Sequence, residues 1–203
     1  MDRPGYLVLG RWKGAAIRVH LSAPLGALLF SGFDYRPLQW LGFLVLILAH
    51  EIGHATVARW AGAQVVSLDV HAIGGRCVYY DGFAGALARA FIASGGIAAQ
   101  VGLWLLTLLV LDGPVDLRPT LGETGVKALQ DFTVTNFLVA ALNLLPLEPL
   151  DGAEIWKLPP LLAQRARSLV RRSLLKRRAS ALERAIRDPE QEDQGEDGPR
   201  LLH

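Results

Sequence analysis

The sequence has a single cysteine, Cys77, so it cannot form an internal disulfide or a metal site built from several cysteines. Charge is also scarce in places: the stretch 38–60 contains only Glu51 and Arg59. Residues 1–14 lack an apolar core followed by a small-residue cleavage site, so we expect no cleaved signal peptide. Any membrane insertion must then come from segments that the mature protein retains.

Long apolar segments are what the chain does have. It contains 203 residues, of which 51% are hydrophobic and 20% charged, enough for one compact domain. A helical membrane span needs roughly 20 apolar residues. The candidates are 15–33 (the weakest, interrupted by Arg18 and His20), 38–61, 86–111 and 126–145. The sequence predicts a mainly α-helical, polytopic membrane protein with about four transmembrane helices.

Basic residues predict the orientation, because they accumulate in cytoplasmic loops. Arg3, Arg11, Lys13 and Arg18 precede or begin the first span, Arg59, Arg76 and Arg89 flank the second connection, and most other basic residues follow position 145. We therefore expect an integral protein of the plasma (inner) membrane with both termini cytoplasmic. His50 lies about 12 residues, or roughly 18 Å, along the second span, nearer the cytoplasmic face.

One motif in the second span predicts chemistry. His50 and His54 are one helical turn apart, so both project from the same face and can bind one metal ion. Glu51 is adjacent and could act as a base on a water molecule. The alternative is that the histidines are hydrogen-bonded core residues and Glu51 is a helix-stabilising charge.

A second polar stretch follows the last span. Pro146 and Pro149 break the helix and leave irregular chain at membrane depth, which is tolerated only within protein or along a watery cavity. Asp151 would then be a third zinc ligand, leaving the fourth position open as catalytic sites do. Alternatively, this is an ordinary interfacial turn in which Asp151 caps a helix.

Together, the two motifs resemble the site-2 proteases, a family of intramembrane zinc metalloproteases. That family pairs an HExxH motif with a later Asn-x-x-Pro and Leu-Asp-Gly, which are here His50–His54, Asn143-Leu-Leu-Pro146 and Leu150-Asp151-Gly152. The resemblance covers roughly 19–156. It implies one Zn²⁺ per chain held by His50, His54 and Asp151, with Glu51 as the catalytic glutamate. It also implies that Asn143 contacts substrate near the metal and helps to stabilise the oxyanion.

The resemblance has one departure and one simplification. Relatives often have Gly-Pro and then Asn in the third span, where this chain has Gly95-Gly96-Ile97-Ala98-Ala99. The metal site is unaffected, but the bend of the third helix need not follow the family. We expect a minimal form, with no PDZ module and no nucleotide-sensing domain.

The function that follows is hydrolysis of peptide bonds within or near the transmembrane segments of membrane-anchored proteins. The alternative is a catalytically inactive relative that binds membrane helices, although such relatives usually lose the glutamate or a ligand. A metal transporter would need further polar ligands along the spans. The sequence gives no signal for an oligomeric state.

Residues 64–80 predict a small β-hairpin between the second and third spans. Val66, Leu68 and Val70 alternate with polar residues, and Gly74-Gly75 can turn the chain. A free edge there could bind an extended substrate by strand addition, or the hairpin could simply plug the cytoplasmic side. His20 and His71 are expected to be surface or hydrogen-bonded residues rather than metal ligands.

The end of the chain differs from residues 1–160, which we expect to form the transmembrane metalloprotease core. Residues 161–187 mix Leu and Ala with many arginines and predict a basic amphipathic cytoplasmic helix on anionic lipid of the bilayer. Nucleic-acid binding is not expected, because no aromatic residues or recognised fold accompany the charge. Residues 188–203 are acidic and predicted to be disordered.

Overall fold

The computed structural model describes residues 4–80, 82 and 85–192, with side chains described as far as Arg184. The chain divides into two compact units, Met1–Leu158 and Pro159–His203. The first unit contains β1 (Tyr6–Trp12), β2 (Ala15–His20), α1 (Ala23–Phe30), α2 (Pro37–Trp60), β3 (Gln64–His71), β4 (Gly74–Tyr80), α3 (Ala86–Asp112), α4 (Arg118–Asn143) and α5 (Gly152–Ile155); α6 (Leu158–Glu192) forms the second. The protein is therefore mostly helical with one small sheet.

The four strands form a single sheet in the order β1-β2-β3-β4. β1–β2 and β3–β4 are antiparallel hairpins, and β2 joins β3 in parallel. A buried ion pair ties these two hairpins together: Arg18 Nε donates to Asp69 Oδ1 over 2.7 Å, and Arg18 Nη2 donates to Asp69 Oδ2 over 3.0 Å and to Ser67 Oγ. The predicted hairpin at 64–80 is present, but it belongs to a larger sheet.

The expectation of a first transmembrane helix at 15–33 is wrong. This stretch forms β2 and the eight-residue α1. It nevertheless runs along most of α2: Arg59 Nη2 donates to the Lys13 carbonyl (2.8 Å) at one end, and Trp40 Nε1 donates to Ser31 Oγ (3.2 Å) at the other. These contacts are about 28 Å apart along the helix. The chain therefore covers this length as a strand and a short helix.

Helices α2 and α3 are long and apolar enough to cross a membrane. They cross at two glycines: a Cβ added at Gly53 would overlap the Gly95 carbonyl, and one at Gly95 would overlap that of Gly53. The missing side chains let the two backbones touch. Helix α4 packs on α3, and its 26 residues include a break at Gly122, where φ is 65°.

These helices bury several polar side chains and expose many large apolar ones. The fully or nearly buried side chains include Glu51, Gln100 and Asn136, at 3%, 1% and 0% exposure. The exposed ones are large and apolar: Phe91, Val101, Leu105, Leu106 and Leu109 on α3, and Val134, Phe137, Leu138 and Leu142 on α4. Such an arrangement suits helices whose outer faces meet lipid.

The second unit differs from the predicted tail in two ways. Helix α6 continues to Glu192, so residues 188–192, expected to be disordered, are helical, and residues 193–203 lie outside the described part. Its leucines also do not share one face of the helix. Leu162 and Leu169 lie on one side, whereas Leu175 and Leu182 are rotated from them by roughly 140° around the helix axis. All four side chains are exposed or partly exposed, among exposed arginines.

Candidate metal centre

The histidines of α2 meet at a single point. His50 and His54, each 8% exposed, bring their Nε2 atoms to 2.9 Å of each other, and their rings are perpendicular with centroids 4.5 Å apart. Gly96 of α3 faces both rings, and a Cβ there would overlap them. A glycine at this position of α3 therefore makes room for the pair.

Asp151 comes to the same point from the far end of α4. Its Oδ2 lies 3.0 Å from His50 Nε2 and 3.2 Å from His54 Nε2. Two contacts fold the intervening loop back: the Trp156 indole N–H donates to the Leu144 carbonyl (2.8 Å), and Gly152 packs so tightly on the carbonyls of Leu144 and Leu145 that no Cβ would fit. The three predicted ligands are thus brought together.

Hydrogen bonds to the Nδ1 atoms of His50 and His54 orient both rings so that their Nε2 atoms point toward Asp151. His54 Nδ1 lies 2.8 Å from the Ile92 carbonyl, and His50 Nδ1 lies 3.0 Å from Gln100 Oε1. The Ile92 carbonyl can only accept, so His54 Nδ1 carries a hydrogen, and the Gln100 side-chain oxygen gives His50 Nδ1 the same role. In the neutral form of this tautomer, each imidazole would present its Nε2 lone pair, together with the Asp151 carboxylate, to a metal ion.

The donor set fits zinc. Two imidazole nitrogens and one carboxylate oxygen are the ligands of a catalytic zinc site, and tetrahedral ligands about 2.0–2.2 Å from the ion lie roughly 3.3 Å apart. The three observed separations are 2.9, 3.0 and 3.2 Å. The ligand atoms are therefore close to the spacing at which one ion would join them.

Glu51 lies beside the ligands, between α2 and the sheet. One ligand atom from each of His50, Glu51 and His54 lies within 4.8 Å of the others. The Cys77 backbone N–H hydrogen-bonds to the Glu51 carboxylate, and the Gly75 backbone passes so close that a Cβ there would overlap it. Glu51 Oε2 has no partner within the described residues. Strand β4 therefore holds one oxygen and leaves the other free.

The remaining residues considered from the sequence are Asn143, His20 and His71. Asn143 is the half-buried last residue of α4, and no hydrogen bond in the described part of the chain joins its side chain to the other four site residues. His20 Nδ1 is 2.8 Å from Ser22 Oγ. Burial, and then the nearby charge of Arg76, lower the pKa of His71. His20 is thus hydrogen-bonded, and His71 is the partly exposed last residue of β3.

Sequence reasoning missed the residues that support the metal ligands. The side chain of Gln100 hydrogen-bonds to His50 Nδ1. Asn136 Nδ2 donates to the main-chain carbonyl of Gln100 over 2.9 Å. Both were visible as polar residues within apolar stretches, since 97–111 contains only Gln100 and Thr107 as polar side chains. Their partners depend on helix rotation, which no motif specifies.

Comparison with known proteins gives a family. The sequence pattern of the family described as Peptidase M50B-like matches residues 25–130, just over half of the chain. This match includes His50, Glu51 and His54 but ends before Asp151. No curated protein is significantly similar in sequence.

A similar fold occurs among solved structures. The site-2 protease from Methanocaldococcus jannaschii superimposes with a TM-score of 0.58, and its sequence is 20% identical. The match covers 78% of this chain and 72% of that protein. At this identity the similarity establishes the fold.

Proposed function

Because this chain belongs to the Peptidase M50B-like family, the site-2 proteases, we propose that it is an intramembrane zinc metalloprotease acting on membrane-anchored proteins. The observation that carries the proposal is the approach of Asp151 Oδ2 to within 3.0 and 3.2 Å of two imidazole nitrogens beside Glu51. The family match does not include Asp151, so the fold supports the third ligand independently.

The chain's own groups suit peptide hydrolysis. His50, His54 and Asp151 would hold one Zn²⁺, which when bound acidifies water and polarises a carbonyl. Glu51, with one free oxygen, would take the proton of the attacking water and deliver it to the leaving amine. Asn143 would contribute to the oxyanion environment from the end of α4.

We infer a membrane location in which α2 and α3, the helices of the described chain that are long and apolar enough to span, cross together with α4. Both ends of α2 carry the aromatic residues typical of membrane interfaces. At its C-terminal end, the Trp12 ring lies 4.8 Å from the Arg59 guanidinium carbon and 5.2 Å from Lys13 Nζ, and Trp60 is 83% exposed. Since basic residues favour the cytoplasm, this end and the nearby metal centre would face it.

The outer edge of β4, which pairs with no further strand of the described chain, suits an extended substrate. β4 is the last strand of the sheet, and two of its residues, Gly75 and Cys77, already contact Glu51. A peptide pairing with this edge would lie next to the base, and the added strand would replace hydrogen bonds lost when a substrate helix unwinds. If the hairpin were only a plug, β4 edge variants would leave cleavage of an already extended peptide unchanged.

The test is zinc content together with cleavage of a model transmembrane substrate by the purified full chain. We expect one zinc per wild-type chain and per Glu51→Gln chain, since Glu51 is not a ligand, and a loss of cleavage by about 10²–10⁴-fold in Glu51→Gln. Asp151→Asn is expected to lose zinc as well. Zinc binding without wild-type cleavage would identify an inactive relative; a wild-type chain that binds no zinc would refute the proposal.

A further inference from the structure

Helix α3 hydrogen-bonds to the Nδ1 atoms of both imidazoles of the candidate metal centre, through a main-chain group in one case and a side chain in the other. His54 Nδ1 donates to the Ile92 main-chain carbonyl over 2.8 Å. His50 Nδ1 donates to a side chain, Gln100 Oε1, over 3.0 Å. A ring nitrogen that donates in this way fixes which tautomer is present and where the other nitrogen points.

Gln100 is itself held by the next helix. Gln100 is 1% exposed. Its main-chain carbonyl accepts a hydrogen bond from Asn136 Nδ2 over 2.9 Å. Asn136 is 0% exposed and lies on the buried face of α4 that also carries Thr133 and Ala140. Gln100 thus connects three helices: its side chain bonds to His50 of α2, and its main-chain carbonyl bonds to the side chain of Asn136 on α4.

These two amides are costly residues for the interior of an apolar bundle. Gln100 Nε2 and Asn136 Oδ1 have no partner within the described residues, and buried polar groups left unpaired reduce stability. An apolar side chain of similar volume would pack here without that cost. Their hydrogen bonds to His50 and to α3 are what an apolar residue could not provide.

We propose that Gln100 is a positioning residue for the metal centre: it fixes His50 with Nε2 directed at Asp151, and Asn136 holds the segment of α3 from which Gln100 does so. This inference depends on the proposed metal site. A neutral amide in this role also leaves the total charge of the ligands unchanged, whereas a carboxylate would add one negative charge.

The test measures zinc affinity, by chelator competition, on the full chain purified in detergent. Gln100→Met keeps the volume but removes the acceptor, and we expect zinc to bind about 10–100-fold more weakly. Gln100→Glu keeps an acceptor oxygen, so its zinc affinity should stay within about threefold of wild type or increase. Thr107→Val removes a buried polar group from α3 away from the centre and is the matched control, with unchanged affinity.

A second readout separates positioning from simple stability. In cobalt-substituted protein, Gln100→Met should alter the visible absorption of the ion, whereas Thr107→Val should leave it as in wild type. Unchanged zinc affinity and cobalt spectrum in Gln100→Met would overturn the inference while leaving the proposed function intact. If Gln100→Met does not fold, Asn136→Leu is measured instead. An unchanged zinc affinity together with an unchanged cobalt spectrum in Asn136→Leu would then overturn the inference. Failure of wild type to bind zinc would instead refute the proposed function.

Discussion

At the scale of single residues, backbone atoms as well as side chains build the centre. The Cys77 N–H and the bare Gly75 backbone position Glu51, and the Ile92 carbonyl positions His54. The sequence identifies the side chains proposed to do the chemistry, because His50, Glu51 and His54 form a short motif. It cannot identify the backbone groups that hold them, since every residue carries the same ones.

The first prediction concerns the contact between Gly75 and the Glu51 carboxylate. Gly75→Val should retain zinc and the fold but lose most cleavage, because the new side chain would occupy the position of the Glu51 carboxylate. Zinc content and cleavage of the model substrate are the measurements. Gly10→Val, a strand glycine with open space around it, is the control and should behave as wild type. Full activity in Gly75→Val would mean that β4 does not contact Glu51.

The pKa of the Cys77 thiol tests the same contact between β4 and Glu51. Burial, and secondarily the negative Glu51 carboxylate, raise the pKa of the Cys77 thiol to about 12. At pH 8 only roughly one molecule in 10⁴ would be thiolate, so alkylation should be about 10³-fold slower than in the unfolded chain. The rate should rise tenfold per pH unit between pH 8 and 11, measured with iodoacetamide by mass spectrometry. A rate that levels off near pH 9 would contradict this environment.

At the scale of elements, helices with clear periodic or apolar patterns were predictable and the N-terminal hairpin was not. The 38–61 and 86–111 segments correspond to α2 and α3 within a few residues. Segment 15–33 is apolar enough for a helix, yet its first part pairs with β1 and β3. The two-residue turn between β1 and β2 places Lys13 and Gly14 at positive φ, 47° and 88°, as a type I′ turn requires. Only Gly14 marks such a turn in the sequence.

The crossing of α2 and α3 depends on having no side chain at two positions. Gly53→Val should destabilise the protein by about 1–3 kcal/mol, because the added atoms meet the Gly95 carbonyl and Ala99. It should also weaken zinc binding, because α3 holds both imidazoles. Thermal unfolding and zinc content measure this. Gly102→Ala, on the exposed side of α3 with open space around it, should retain both.

At the scale of the whole molecule, three long helices and the β2–α1 stretch define the path of the chain. β1 lies at the C-terminal end of α2, and α1 ends near its N-terminal end. If α2, α3 and α4 all cross, the N-terminal hairpin and the loop that carries Asp151 lie on the same side. With the first helix replaced by a strand and a short helix, the cytoplasmic location of both stays a prediction.

This path predicts which positions are accessible from outside the cell. In a Cys77→Ala background, single cysteines at Asp34 and Asp116 should react with a membrane-impermeant maleimide in intact cells. A cysteine at Lys13 should react only after the membrane is permeabilised, since it lies beside Arg59 at the opposite end of α2. Labelling of the Lys13 position in intact cells would reverse the orientation.

The two imidazoles proposed to bind the metal differ in which supporting group a mutation can change. The acceptor behind His54 is a main-chain carbonyl that every amino acid at position 92 would supply, so substitution can displace that group but never delete it. The acceptor behind His50 belongs to a side chain that a single codon change can remove, shorten or make acidic. If the centre holds the proposed ion, mutation can therefore adjust the ion's electronic surroundings through His50, but hardly through His54.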